Sequence, residues 1–149
     1  MSKKKSTVQF HFLSPCTLTT RGVLKAFVAR IFKKEGLAVE AVRFVFCDDK
    51  YLLDLNQRFL QHDFYTDILS FPLSGPGEPL IAEIYISIER VRENALNVNS
   101  SFKEELHRVI IHGILHFCGY KDKSPADIKI MRIMEDKWLN IYFKSLSKA

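Results

Sequence analysis

A pair of histidines inside an apolar helix constrains this chain more than any other feature. Ser101-Phe-Lys-Glu104 forms a capping box, and a helix is predicted to run from it through Cys118. At about 100° per residue, Glu105, Arg108, His112 and His116 share one face. Leu106, Ile110, Gly113, Ile114 and Phe117 cluster away from that face, and Ile111, Leu115 and Cys118 fill much of the remainder. The second half of the helix is therefore apolar almost all round, so the fold must close over it. Histidines in such a helix need partners, because an unpaired buried polar group costs about 1–3 kcal/mol. Either each bonds to a nearby carbonyl, or the two bind something together.

The residues that follow favour the second. His112 and His116 lie one turn apart. Gly119 stands where a helix C-terminus takes a residue tolerant of positive φ. The chain then reverses and offers Asp122. Two imidazoles and a carboxylate make a three-ligand set that suits a catalytic zinc, with the fourth position open to water. Cys118 lies roughly 160° round the wheel from His116 and is read as core packing.

The other segments alternate between strand and helix. Thr7 to Leu13 places Val8, Phe10 and Phe12 on one side, with His11 on the polar side as a surface residue. Leu18 to Lys34 reads as an amphipathic helix capped by Thr17 or Thr19, with Leu24, Phe27, Val28 and Ile31 inward and Gly36 ending it. Val39 to Cys47 is a second strand, and Asp48-Asp49 caps a helix from Lys50 to about Leu60. A polar-aromatic loop, Gln61 to Tyr65, leads to a short strand, Ile68 to Phe71, closed by Pro72. Ser74 to Pro79 is a turn. Ile81 to Ile88 is a strand and Glu89 to Leu96 a short helix. The last helix opens at Ser124-Pro125 and carries Ile128, Met131, Met134 or Glu135, Trp138 and Tyr142 inward.

This interleaving predicts an α+β (mixed α/β) class. A single domain over residues 1–149 is expected, with about four strands in a mixed sheet, about five helices, and the metal site at the end of a central helix. No run of eighteen apolar residues is present, so no membrane helix is expected. Met-Ser-Lys-Lys-Lys lacks an apolar stretch behind its charge, so no secretory signal is expected either. Cys16, Cys47 and Cys118 are odd in number and far apart, which fits a reducing, cytoplasmic setting. The net charge of +5 is uneven: residues 1–35 hold eight Lys/Arg against Glu35 alone. Such a surface favours phosphate-bearing partners, or serves only as a solubilising face.

Three blocks of the chain resemble the YbeY family of zinc-dependent endoribonucleases of ribosomal RNA maturation. His112-Gly113-Ile114-Leu115-His116 and Gly119-Tyr120 match the family's H-G-x-L-H-L-x-G-Y-D-H. Leu55-Asn56 and Thr66-Asp67-Ile68-Leu69-Ser70-Phe71-Pro72 match a second block with its spacing kept, and residues 81–87 resemble a third. The family's third histidine falls at Asp122, an accepted zinc ligand that leaves the site at net +1 rather than +2. Its arginine falls at Leu60, so that role does not carry over; Arg58 or His62 replaces it as an RNA contact, or both are plain surface residues. Gly-Asp of the third block becomes Ala82-Glu83.

The resemblance implies hydrolysis of phosphodiesters in single-stranded RNA, with ribosomal RNA and the small ribosomal subunit as partners, and a role in ribosome quality control. One Zn2+ per chain would be held by His112, His116 and Asp122, lowering the pKa of its bound water toward about 7. Phe64, Tyr65 or Tyr120 would stack on an unpaired base or fill the core. Asp67 either assists as a base or is a turn or cap residue. Gly113 occupies the place of the glutamate in H-E-x-x-H, so a peptidase would lack its base; the glycine instead lets another backbone or helix approach. A peptidase-like zinc hydrolase and a non-catalytic ribosome-associated zinc protein are the alternatives. A closed coordination sphere would mark the latter.

Overall fold

The computed structural model describes residues 6–147, so Lys3, Lys4 and Lys5 of the basic N-terminal part lie outside the described residues. Its elements, in order, are β1 (Thr7–Phe12), α1 (Arg21–Lys34), β2 (Val39–Cys47), α2 (Asp49–Leu60), β3 (Ile68–Pro72), β4 (Leu80–Ser87), α3 (Ile88–Asn97), α4 (Phe102–Phe117) and α5 (Pro125–Ser147). The mixed α+β class, the four strands and the five helices expected from the alternation are all found among the described residues. No helix among the described residues is long and apolar enough to cross a membrane.

The sheet order is β1-β2-β4-β3. β1, β2 and β4 run parallel and β3 returns antiparallel along β4, with Ile68 opposite Ile86. Parallel neighbours need a crossover, and α1 supplies the one between β1 and β2. Period-two alternation then sorts the side chains. Val42, Phe44, Phe46, Ile84 and Ile86 face the main core, which they share with α1, α3, α4 and α5. Cys47, Leu52 and Leu69, with Leu55, Phe71 and Tyr85 against them, form a smaller cluster under α2 on the other face.

The helix α4 is buried along most of its length, from Leu106 through Leu115, as its apolar circumference requires. Gly113 lets the sheet pack close against the helix. A Cβ there would lie 2.8 Å from Ile68 Cδ1 and 3.4 Å from Ile84 Cδ1. The approach is made by strand side chains of β3 and β4, not by a second helix or backbone.

Helix starts follow local capping chemistry. Asp48 accepts the Tyr51 N–H at 2.8 Å, so α2 begins one residue earlier than predicted. Ser101 accepts the Glu104 N–H at 3.0 Å, but the Glu104 carboxylate takes the Ser100 hydroxyl, so only half of the box closes. Ser124 accepts the Asp127 N–H at 3.1 Å and Pro125 opens α5. The start of α1 differs from the prediction. Neither Thr17 nor Thr19 caps it, and the helix begins at Arg21. Thr20 occupies the cap position at φ 53° without a side-chain cap bond, its hydroxyl engaging the Thr19 carbonyl and the Tyr142 hydroxyl instead. Leu18 is buried from an irregular segment, so its apolar character marks core rather than helix.

Candidate metal centre

The last turns of α4 carry His112 and His116, and the turn that follows returns Asp122 toward them. Gly119 takes φ 102°, the left-handed geometry that ends the helix and reverses the chain. Asp122 Oδ2 lies 3.1 Å from His116 Nε2 and 3.3 Å from His112 Nε2. One donor atom from each of the three falls within 4.8 Å of the others. Among the described residues no other trio of His, Cys, Asp or Glu converges so closely. The sequence-predicted trio is therefore brought together, with Nε2 as the inward atom of both rings.

Each ring has a different surrounding. His112 Nδ1 lies 2.6 Å from Glu135 Oε2 on α5. Burial works to lower the His112 pKa, but the Glu135 hydrogen bond, with the charges of Glu135, Asp67 and Asp122, leaves it raised. Burial works to raise the Asp122 pKa; the hydrogen bond and charge of His116, with His112 beyond, leave it lowered. The His112 shift reflects the carboxylates gathered around that ring, and the Asp122 shift reflects the two imidazoles beside it; acidic groups so placed also attract a cation.

Asp67 joins this pocket from the loop before β3. It lines a cavity of about 200 Å³ with Arg108, His112, Asp122 and Glu135, and a second of about 360 Å³ with His112, His116 and Asp122. Burial raises its pKa, with His112 opposing. Its Oδ2 accepts from Asn94 at 3.4 Å, and its carbonyl accepts the Ser87 N–H at 2.9 Å. That carbonyl bond ties the second and third sequence blocks together. Asn56, of the second block, is buried in α2 and donates to the Phe64 carbonyl at 2.9 Å, anchoring the same loop.

The remaining candidates lie outside both cavity linings. Arg58 faces Asp54 at 3.5 Å on exposed α2, and His62 stacks on Phe64 at 5.0 Å between centroids. Leu60, at the end of α2, is exposed. Phe64 and Tyr65 are each 56% exposed, so neither fills the core; Arg90 sits 5.1 Å over the Tyr65 ring. Tyr120 packs against the core with its hydroxyl on Glu35. Cys118 packs there too, and His11 is at the surface, as read from the sequence. Glu83 pairs with Arg43, its register partner on β2, and shares a face with Leu55, Phe59 and Tyr85. It is thus on the α2 side of the sheet, away from the histidines.

Sequence reasoning missed Glu135 and Arg108 as parts of the site. The signal was present: Glu135 is an acid on a stripe with Met131, Trp138 and Tyr142, and Arg108 shares the histidine face.

Known proteins match this chain over most of its length. Residues 12–142 match the family model described as endoribonuclease YbeY. A Flavobacterium psychrophilum protein named endoribonuclease YbeY is 49% identical over 116 residues, covering 78% of this chain and 82% of its own length. One from Christiangramia forsetii is 40% identical over 139 residues, covering 93% and 96%. A solution structure of a Thermotoga maritima protein superposes with a TM-score of 0.63 at 30% identity, covering 93% of this chain and 92% of the other. With motif, fold and length all in agreement, the chain belongs to the endoribonuclease YbeY family.

Proposed function

We propose that this chain is a zinc-dependent endoribonuclease that cleaves single-stranded RNA during ribosomal RNA maturation and ribosome quality control, in the cytoplasm and in association with the small ribosomal subunit. All of residues 1–149 form one metallohydrolase domain in this reading. One observation carries it: in a chain of an endoribonuclease family, His112 Nε2, His116 Nε2 and Asp122 Oδ2 converge beside an open cavity.

The donor set suits zinc. With ligand distances of about 2.0–2.1 Å, two ligands of a tetrahedral site stand about 3.3–3.4 Å apart, and both His–Asp separations, 3.1 and 3.3 Å, are close to that. Three ligands from one helix and its following turn leave room for solvent and substrate. The ion, when bound, supplies Lewis acidity toward a phosphoryl oxygen and an acidic water.

The chain's own residues do the rest. His112, His116 and Asp122 hold the ion. Asp67, raised by burial and sharing both cavities with His112, takes a proton from the attacking water. Phe64 and Tyr65, exposed on the loop leading to Asp67, offer faces for an unpaired base. Arg58 and His62, further out, meet the phosphate backbone, as does the basic N-terminal part.

The test is zinc content measured beside cleavage of a single-stranded ribosomal RNA fragment, for wild type and His116→Ala. Loss of both zinc and cleavage in a folded variant is expected. Cleavage that survives full loss of zinc overturns the reading.

A further inference from the structure

Glu135 is 5% exposed, on the inward stripe of α5. A buried carboxylate is tolerated only when its lone pairs are engaged. Oε1 accepts from Arg108 Nη1 at 3.0 Å and lies 3.6 Å from Arg132 Nη1. Oε2 is 2.6 Å from His112 Nδ1. Arg108 is itself fixed, since its other Nη donates to Asp136 at 2.8 Å. A carboxylate only accepts, so Nδ1 carries a proton, and in the neutral ring, the form that binds a metal, the lone pair is then on Nε2. Nε2 is the atom that faces Asp122.

We propose that Glu135 is the positioning residue of the metal centre: held by Arg108, it fixes the His112 tautomer and ring orientation that present a bare Nε2 to the ion. This rests on the metal-binding reading above. An outer carboxylate of this kind contributes about 10–100-fold to metal affinity in other sites. Here the contact also crosses the seam between α4 and α5. By reciprocity, whatever Glu135 adds to zinc binding, zinc adds to the docking of α5.

Glutamine at position 135 separates this role from packing. Arg108 donates toward Oε1, so the amide oxygen turns to Arg108 and the NH2 turns to His112 Nδ1. The ring must then carry its proton on Nε2, the wrong atom for a ligand. The experiment uses full-length protein with 15N-labelled histidine. Ring nitrogen shifts are read without metal, at a pH alkaline enough for the His112 ring to be neutral, zinc affinity by competition with a chromophoric chelator, and hydrogen exchange of α5 with and without zinc.

In wild type we expect the Nδ1–H tautomer at His112 and zinc-induced protection of the α5 amides around residues 131–139. In Glu135→Gln we expect the tautomer inverted, zinc affinity lowered about 10–100-fold, and the zinc-induced protection reduced. A Glu135→Gln protein with wild-type tautomer and wild-type zinc affinity overturns the proposal and leaves the metal reading standing. Wild-type protein that binds no zinc overturns both. Should Glu135→Gln not fold, the wild-type spectrum still decides: an Nε2–H tautomer at His112 in the metal-free protein overturns the proposal.

Discussion

Tyr120 donates its hydroxyl proton to Glu35 Oε2 at 2.9 Å, joining the turn after α4 to the C-terminal end of α1 across 85 positions of sequence. The other oxygen of Glu35 accepts Trp138 Nε1–H at 3.3 Å. One carboxylate thus ties α1, the turn that bears Asp122 and α5 together. Tyr120 stands two residues before Asp122, so the bond steadies the backbone from which that carboxylate projects. Tyr120→Phe removes the donor and keeps the ring in place. We expect a loss of about 1.5–3 kcal/mol in urea unfolding, typical for a hydrogen bond to a charged acceptor, together with weaker zinc binding. Unchanged stability and unchanged zinc affinity would show that packing alone holds the turn.

Asp122 is the proposed ligand, standing where the YbeY pattern it resembles has a histidine. Asp122→Ala leaves two imidazoles, so zinc content of the purified protein should fall sharply. Asp122→His restores three neutral donors and should retain or raise it. Metal analysis of wild type and both variants decides this. Equal zinc in wild type and Asp122→Ala would remove Asp122 from the site.

Much of this arrangement is legible in the sequence because it is local. Four-residue spacing puts two imidazoles on one helical face, and a glycine three positions after the second supplies the reversal, whatever surrounds them. The strands β2 and β4 are equally plain, since β-branched and aromatic runs have few other fates. What the sequence hides is packing between distant elements. Glu135 reaches His112 across 23 positions, and only the crossing of α4 and α5 reveals it. Leu18 shows the converse: its periodicity with α1 suggests helix, yet it is buried from an irregular segment, because burial and helical phase are separate properties. Phe64 and Tyr65 show a third limit, since an aromatic residue states its area but not which side of the surface it takes.

His107 gives the fold a dependence on acid that is separate from the metal centre. Its Nδ1 lies 2.6 Å from the Lys103 carbonyl, so Nδ1 carries the proton, and the ring stacks on Tyr142 at 5.1 Å. Nε2 is buried without a partner among the described residues. Burial lowers the His107 pKa from its ordinary 6.5, against the opposing carbonyl bond. In the unfolded chain the ring takes up its proton as pH falls through 6.5, while the folded protein resists it. The neutral ring therefore costs nothing above that pH, and stability is lost below it, down to the lowered folded value. His107→Phe keeps the stack and removes the titration. Unfolding free energies at pH 7.5 and pH 5 should fall further in wild type than in the variant. Parallel losses in the two proteins would rule His107 out as the source.

Gly113 decides what chemistry the helix can be converted to. Glutamate at this position would create the H-E-x-x-H pattern of zinc peptidases in sequence, with both histidines already in register. The structure predicts failure. Gly113 is buried, and even a Cβ there would meet Ile68 Cδ1 at 2.8 Å, on the sheet side of α4 and away from the face that carries the two histidines. A glutamate would drive a carboxyl group between α4 and the strands β3 and β4, where its neighbours are isoleucines. Overpacking and the burial of an unpaired acid together should cost about 3 kcal/mol or more. Gly113→Ala is the control, because the gain in helix propensity, about 1 kcal/mol, offsets part of what the Ile68 side chain loses by moving. We expect Gly113→Ala to fold and bind zinc, and Gly113→Glu to unfold or aggregate, as read by circular dichroism and gel filtration. A folded, zinc-loaded Gly113→Glu protein would mean that the sheet withdraws from α4 far more readily than this packing allows.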